Sequence, residues 1–336
     1  VLVTRFAIAP NWLRGWWASD AARISFDIKY ENFQKLAYQR EGALQRGVLI
    51  SGADDFVPVR IREGDRTFDG KVRLKGDWAD HVVGEKWSLR VKLKGSDTLF
   101  GMKEFSLQHP ETRHFVHEWV FHEALAREDL LSLRYDFVEV SINGKDLGVY
   151  ALEEFFDKRL IEHRRRPEGP ILKFDESLHW DDIVATGQRG LRSATGQRVF
   201  RAAAVDTFGA GSMRQDPKEW DTWLEASSLL ESFRSGELPL AKAFDSKKLA
   251  SYFALVDLLG AQHGASWINL RFYYDPIASR LEPVGFDGNA GRPIENVLGA
   301  SEMLDKVDWG FVSQAFADPD FVADYVAALV RVSDPA

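Results

Sequence analysis

No cysteine occurs among the 336 residues, so neither a disulfide framework nor a thiolate metal site can exist in this chain. Any bound cation must be held by oxygen or nitrogen. There is also no run of about 18 apolar residues, so the sequence contains no candidate membrane-spanning helix. Positive charge is short: 43 Lys and Arg stand against 51 Asp and Glu, a formal net charge of −8. This argues against a nucleic-acid binder that works through a basic surface. The first residues, Val1-Leu2-Val3-Thr4, lack an initiating Met and read as the continuation of a longer chain. Contact with a membrane is then expected only through a signal or anchor upstream of Val1.

What the chain does have is core-forming material. Hydrophobic residues make up 45% of it, with 11 Trp and 23 Phe, and the length suits either two lobes around a cleft or one large domain. Residues 1–20 form an N-terminal extension in which Trp12, Trp16 and Trp17 surround Leu13. They suit either packing against the body or an interfacial anchor. From Ile24 to Ala53 the apolar spacing predicts a strand followed by a helix. The period then shifts towards two: Phe56 to Ile61, Lys71 to Lys75 and Trp87 to Lys94 alternate apolar with mostly basic residues, the pattern of half-buried antiparallel strands. Lys71, Arg73 and Lys75 share one face, as do Arg90, Lys92 and Lys94. Such faces suit a solvated sheet surface or a cradle for phosphate groups.

Asp77 to His81 follow Gly76 as a loop without a G-x-G-x-x-G pattern. His114, His117 and His122 lie in a predicted helix from Arg113 to Asp129. His-x-x-His spacing raises a metal site, but Trp119 and Phe121 interrupt the cluster and favour a structural role. Alternating runs on either side of Asn143-Gly144 predict a tight hairpin whose second strand ends in Glu153-Glu154. Phe155 to Arg166 reads as a helix with three arginines at its C-terminal end, and Ile171 to Phe174 as a short strand carrying Lys173. Residues 175–216 are the least regular part and read as an insertion or cover. Helices are predicted from Pro217 and from Ser246 to Leu259, the second capped by Asp245 and bearing Asp257 beside its apolar stripe. Beyond them, Asn269 opens a strand-like run and Asp275-Pro276 supplies a turn. Leu281 to Phe286 returns to Asp287, so the hairpin 269–287 carries an amide at one end and a carboxylate at the other. Two hard oxygen ligands so placed suit magnesium.

Taken in order, Arg73-Leu-Lys-Gly-Asp-Trp, Lys86-Trp-Ser-Leu-Arg90, Ile142-Asn-Gly-Lys, Gly148 to Glu154 and His263 to Gly291 resemble the spore coat kinase CotH family of atypical secretory protein kinases. The resemblance spans roughly residues 70 to 291. It implies ATP with Mg2+ or Mn2+ as cofactors and a protein acceptor in an extracytoplasmic, secreted or envelope-associated setting. The residues it assigns to the nucleotide are Arg73, Lys75, Lys86, Arg90 and Lys173. Glu154 would orient a phosphate-binding lysine, and Asn269 and Asp287 would hold the metal.

The fold it implies is α+β, an atypical protein-kinase-like two-lobed arrangement. An antiparallel-sheet N-lobe would occupy 21–154 and a mainly helical C-lobe 155–336. The sequence departs from the family at two points. Where many relatives carry an Asp a few residues before the Asn, this chain has Gly264, Ala265 and Ser266, which leaves His263 as a candidate proton acceptor. Gly288, Asn289 and Ala290 stand where a second acid follows the first. Three functions therefore stay open: a phosphotransferase, a pseudokinase-like binding or scaffold protein, and a kinase-fold nucleotidyltransferase.

Overall fold

The computed structural model describes residues 21–186, 200–300 and 310–334; Trp12, Trp16 and Trp17 lie outside them. The chain opens with strand β1 (Arg23–Asp27), helix α1 (Tyr30–Arg46) and strands β2 (Val57–Glu63), β3 (Arg66–Leu74), β4 (Leu89–Leu93) and β5 (Glu104–Gln108). Helix α2 (His117–Arg127), the two-residue strand β6 (Leu131–Ser132) and the hairpin β7 (Tyr135–Ile142) and β8 (Lys145–Glu154) follow. Asn143 and Gly144 both take positive φ, 50° and 81°, as a two-residue turn between right-twisted strands requires.

These strands do not make an open sheet. Their order is β1-β2-β3-β4-β5-β8-β7 around a closed barrel, and this corrects the expected kinase-like pairing of an antiparallel-sheet lobe with a mainly helical one. The closing strand is β1, antiparallel to β2 and parallel to β7, with Ile24 opposite Glu63 on one side and Val140 on the other. Without β1, the outer edges of β2 and β7 would present unpaired backbone groups, and closure removes both edges. Phe26, Ile61, Val72, Val91, Phe105 and Leu152 fill the interior.

The second half holds helix α3 (Lys158–His163), strand β9 (Ile171–Phe174), helix α4 (Ser177–Thr186), strand β10 (Val205–Thr207) and helices α5 (Pro217–Arg234) and α6 (Ser246–Leu258). Strands β11 (Arg271–Asp275) and β12 (Arg280–Gly285) and helices α7 (Gly310–Phe316) and α8 (Pro319–Ser333) complete it. It contains a five-stranded sheet of order β10-β9-β11-β12-β6, in which β6, drawn from the barrel half, pairs in parallel with β12. Asp216 and Asp245 cap α5 and α6, accepting from Lys218 N at 2.9 Å and Lys248 N at 3.1 Å, as side-chain oxygens at helix starts do. α3 is shorter than the helix predicted over Phe155 to Arg166. Phe156 is instead buried against Phe208 and Phe286, with ring centroids 4.5 and 5.2 Å away, and Asp157 starts the helix by accepting from Arg159 N at 2.8 Å.

Candidate active site

Side chains alternate between the two faces of a strand, so the residues flanking the barrel's inward-facing positions point outward. Cross-strand register lines up Arg73, Arg90, Ser106, Glu153 and Tyr135 on five neighbouring strands, β3, β4, β5, β8 and β7. Lys75 continues the Arg73 face just past the end of β3. This band is buried: Lys75 and Glu153 form an ion pair of 2.7 Å with side-chain exposures of 10% and 2%.

Further buried charges surround the pair. Burial pushes the Glu153 carboxyl up, but Lys75, Arg90 and Arg113 together outweigh it and hold the group below its ordinary value. Burial lowers Lys75, and Arg90 and Arg113 lower it further against the pull of Glu153. Arg113 is also paired with Asp287, and Arg90 is drawn to Glu104 as well as to Glu153. Arg90 Nε and Nη1 are buried without hydrogen-bond partners, the guanidinium lying 4.3 Å from the Phe155 ring centroid. Buried charge without full compensation is costly, and an anion with several acceptor oxygens would relieve it.

Facing this band is the loop after β12. Asp287 and Asn289 both adopt left-handed backbone, φ 46° and 47°, a conformation that non-glycine residues keep only when their surroundings enforce it. Arg113 Nε lies 2.7 Å from Asp287 Oδ1, and His263 Nε2 lies 3.5 Å from Asp287 Oδ2. Burial raises the Asp287 carboxyl, but Arg113, His263 and Lys75 prevail and hold it well below the usual carboxylate range. Glu118, fully buried on α2, is pushed up to about 7 by burial and by Asp287. Asn269 donates from Nδ2 to the His263 carbonyl at 3.0 Å, so the open ends of the hairpin, Asn269 and Asp287, both meet His263. Arg271 at the start of β11 is buried, with Glu176 Oε1 3.8 Å away. Crowding by protein atoms, with the charges of Glu176 and Asp287, pushes Asp77 up to about 6, although its side chain still reaches solvent.

A recess of about 600 Å3 adjoins this cluster, walled by Phe155, Phe156, Ile171, Phe208 and Met213, with Lys92, Lys103, Lys158 and Lys218 offset by Glu104, Asp157, Glu168, Asp216 and Glu219 in its charged lining. Its volume is that of a small-molecule site. Two of its rings reach the charged cluster, Phe155 under Arg90 and Phe208 5.8 Å from the Arg271 guanidinium.

A family model described as CotH kinase protein matches residues 72–297. The chain belongs to the CotH kinase family. A comparison with curated proteins gives no match. Membership in a kinase family implies ATP and a divalent metal in general, and the residues present in this CotH-family site can be tested against both. Among the described residues, no cluster of three or more His, Asp or Glu is disposed to hold a metal. Magnesium, however, is commonly bound by one or two carboxylates together with substrate phosphates. That demand is met by the Asp287 carboxylate and by the Asn269 amide, whose NH2 end is engaged so that its oxygen end is the one able to coordinate. Asn289 Oδ1, a buried oxygen with no hydrogen-bond partner, is a third candidate. The donor set fits an ion shared with phosphate.

The remaining sequence candidates are dispersed. Glu154 binds Arg134, through that residue's backbone N at 3.1 Å and its guanidinium, and has no contact with Arg73, Lys86 or Arg90. Parity explains this: Glu154 lies opposite Phe105 and follows the inward positions Tyr150 and Leu152, whereas Glu153 falls on the Lys75 and Arg90 face. Arg73 donates to Ser51 Oγ and the Leu74 carbonyl. Lys86 Nζ donates to the Val149 carbonyl at 3.1 Å, four residues from Glu153, or roughly 13 Å along the strand. Lys173 pairs with Asp206 at 3.4 Å. Sequence reasoning missed Glu153, Arg113 and Glu118. Strand alternation pointed to the first; for the other two, brought to Asp287 by α2 and the turn before it, no local signal exists.

Proposed function

We propose that the protein is an ATP-dependent phosphotransferase that places the nucleoside part of ATP in the recess beside Phe155 and Phe208. Its phosphates would lie against Lys75, Arg90 and Arg271, with Mg2+ or Mn2+ at Asp287, Asn269 and Asn289. The observation that supports this best is the buried Arg90 guanidinium beside the Lys75–Glu153 pair, whose Nε and Nη1 have no hydrogen-bond partner and which phosphate oxygens would satisfy. A bound divalent ion would neutralise charge on the phosphate oxygens. The protein's own residues do the rest: Lys75, fixed by Glu153, meets phosphate, the barrel wall excludes water, and His263, partly exposed beside Asp287, is the candidate to take the acceptor's proton in its neutral form. The acceptor is a protein hydroxyl in an extracytoplasmic or envelope-associated setting, a reading that rests on the resemblance to secretory kinases.

One observation favours a second reading, a nucleotide-binding scaffold without transfer. Where the acid is expected, the chain has Gly264, Ala265 and Ser266, and at Gly264 an added Cβ would stand 3.1 Å from the Phe286 carbonyl oxygen and 3.2 Å from Gly288 Cα, so a side chain there would require its neighbours to shift by a few tenths of an ångström. Calorimetric titration with ATP, with Mg2+ and with EDTA, tests the shared premise. Binding strengthened by the metal in wild type and no longer so in Asp287→Ala is expected, and no binding in either buffer would sink both readings.

A further inference from the structure

The segment from Arg113 to Glu118 touches almost every residue of the Asp287 loop. Glu118, with 0% exposure, accepts from Gly288 N through Oε1 at 2.9 Å and from Asn289 N through Oε2 at 2.8 Å. His114 Nδ1 and His117 Nδ1 each lie 3.2 Å from the Ala290 carbonyl oxygen. A carbonyl only accepts, so both rings carry their proton on Nδ1. Arg113 holds Asp287 itself, and an added Cβ on Gly291, at φ 86°, would stand 2.0 Å from His117 Nδ1.

We propose that Glu118 is the positioning residue of the metal site: its two carboxylate oxygens hold the Gly288 and Asn289 amides so that Asp287 and Asn289 keep the left-handed backbone that presents their side chains to the divalent ion. The proposal rests on the nucleotide-and-metal reading above. Three features argue for a positioning role over mere packing. A carboxylate next to the buried Asp287 is electrostatically unfavourable, so a neutral residue would serve packing better. Two adjacent backbone N–H groups need two acceptors, which glutamate has and glutamine lacks. The loop held this way has left-handed backbone at two non-glycine positions, and its middle residue, Gly288, lies against Phe121, whose ring atoms would stand 2.8 Å from an added Cβ. Groups that orient metal ligands from behind typically change metal affinity by about 10–100-fold when altered.

The test is the metal coupling factor, the ratio of the ATP dissociation constant in EDTA to that in Mg2+, measured by calorimetry on wild type and Glu118→Gln. Glu118→Gln should lower this ratio by about 10–100-fold while leaving the EDTA constant within about twofold. A residue that served only folding would lower the melting temperature and leave the ratio of the folded protein unchanged, which would overturn the proposal. Should Glu118→Gln fail to fold, Glu118→Asp, one methylene too short to bridge both amides, carries the same test: a severalfold lower ratio supports the clamp, and an unchanged ratio overturns it. A wild-type ratio of one would instead overturn the underlying nucleotide-and-metal reading, and this proposal with it.

Discussion

Lys75→Met is the most informative single change to the cation cluster. It removes one charge from a pair 2.7 Å apart that is almost closed to solvent, and leaves the Glu153 carboxylate buried. Breaking a buried pair from one side costs about 3–5 kcal/mol. Because Arg90 and Arg113 still act on Glu153, the low end of that range is expected. Lys75→Met/Glu153→Gln removes both charges of the pair but also takes from Arg90 a carboxylate that offsets its buried charge, so it should recover only part of the loss. Nucleotide affinity should behave differently. Losing a charge-assisted contact to phosphate should cost at least tenfold, or about 1.4 kcal/mol, and the double variant should not recover it. Urea unfolding followed by circular dichroism measures the first quantity and calorimetry with ATP the second. A Lys75→Met protein as stable as wild type would refute the compensation argument. A double variant that binds ATP as tightly as wild type would remove Lys75 from the phosphate site.

Three further outcomes follow from the same geometry. His263→Ala should slow phosphoryl transfer by about 10²–10⁴-fold with ATP affinity little changed; undiminished transfer in a labelled-ATP assay would leave His263 structural. Glu154→Gln should leave ATP affinity within about twofold in calorimetry, since its partner is Arg134, and a large loss would contradict the parity assignment. His81 is pressed down to about 3 by burial, with Arg113 and Lys75 adding to it, so below pH 6.5 the unfolded chain takes a proton that the folded one refuses. The stability linked to neutral His81 is complete above about pH 6.5 and falls by about 1.4 kcal/mol per unit as the pH drops. Relative to His81→Gln, wild type should therefore lose roughly 2.3 kcal/mol between pH 6.5 and 4.5. Glu118 and Asp77, whose raised values act in the opposite direction, are present in both proteins and cancel in the comparison. A stability difference independent of pH would refute the assignment.

Features written in local chemistry were legible in the sequence. Asn143-Gly144 announces its turn because only a few residue types accept positive φ at two successive positions, and Asp245 announces a helix start. The pairing of β11 with β12 follows from Asp275-Pro276 and the flanking apolar runs. Barrel closure was not legible, because the deciding pair joins β1 to β7, with Arg23 opposite Glu139, and no local pattern distinguishes an edge strand from a closing one. In the site, alternation supplied the cationic face of β3 and β4, but choosing between Glu153 and Glu154 needed the parity of β8 fixed by Tyr150 and Leu152. Arg113 and Glu118 reach Asp287 across about 170 residues of sequence, a distance over which only folding brings charges together.

The central claim is transfer of the terminal phosphoryl group, and incubation with γ-labelled and α-labelled ATP in parallel tests it most directly, with the protein itself and casein as acceptors and Asp287→Ala as control. Label should reach protein from γ-labelled ATP in the presence of Mg2+ or Mn2+, and neither from α-labelled ATP nor in the Asp287→Ala control. Label arriving from α-labelled ATP would establish nucleotidyl transfer instead, and label from neither, in a protein that binds ATP, would contradict the account and leave the scaffold reading in its place.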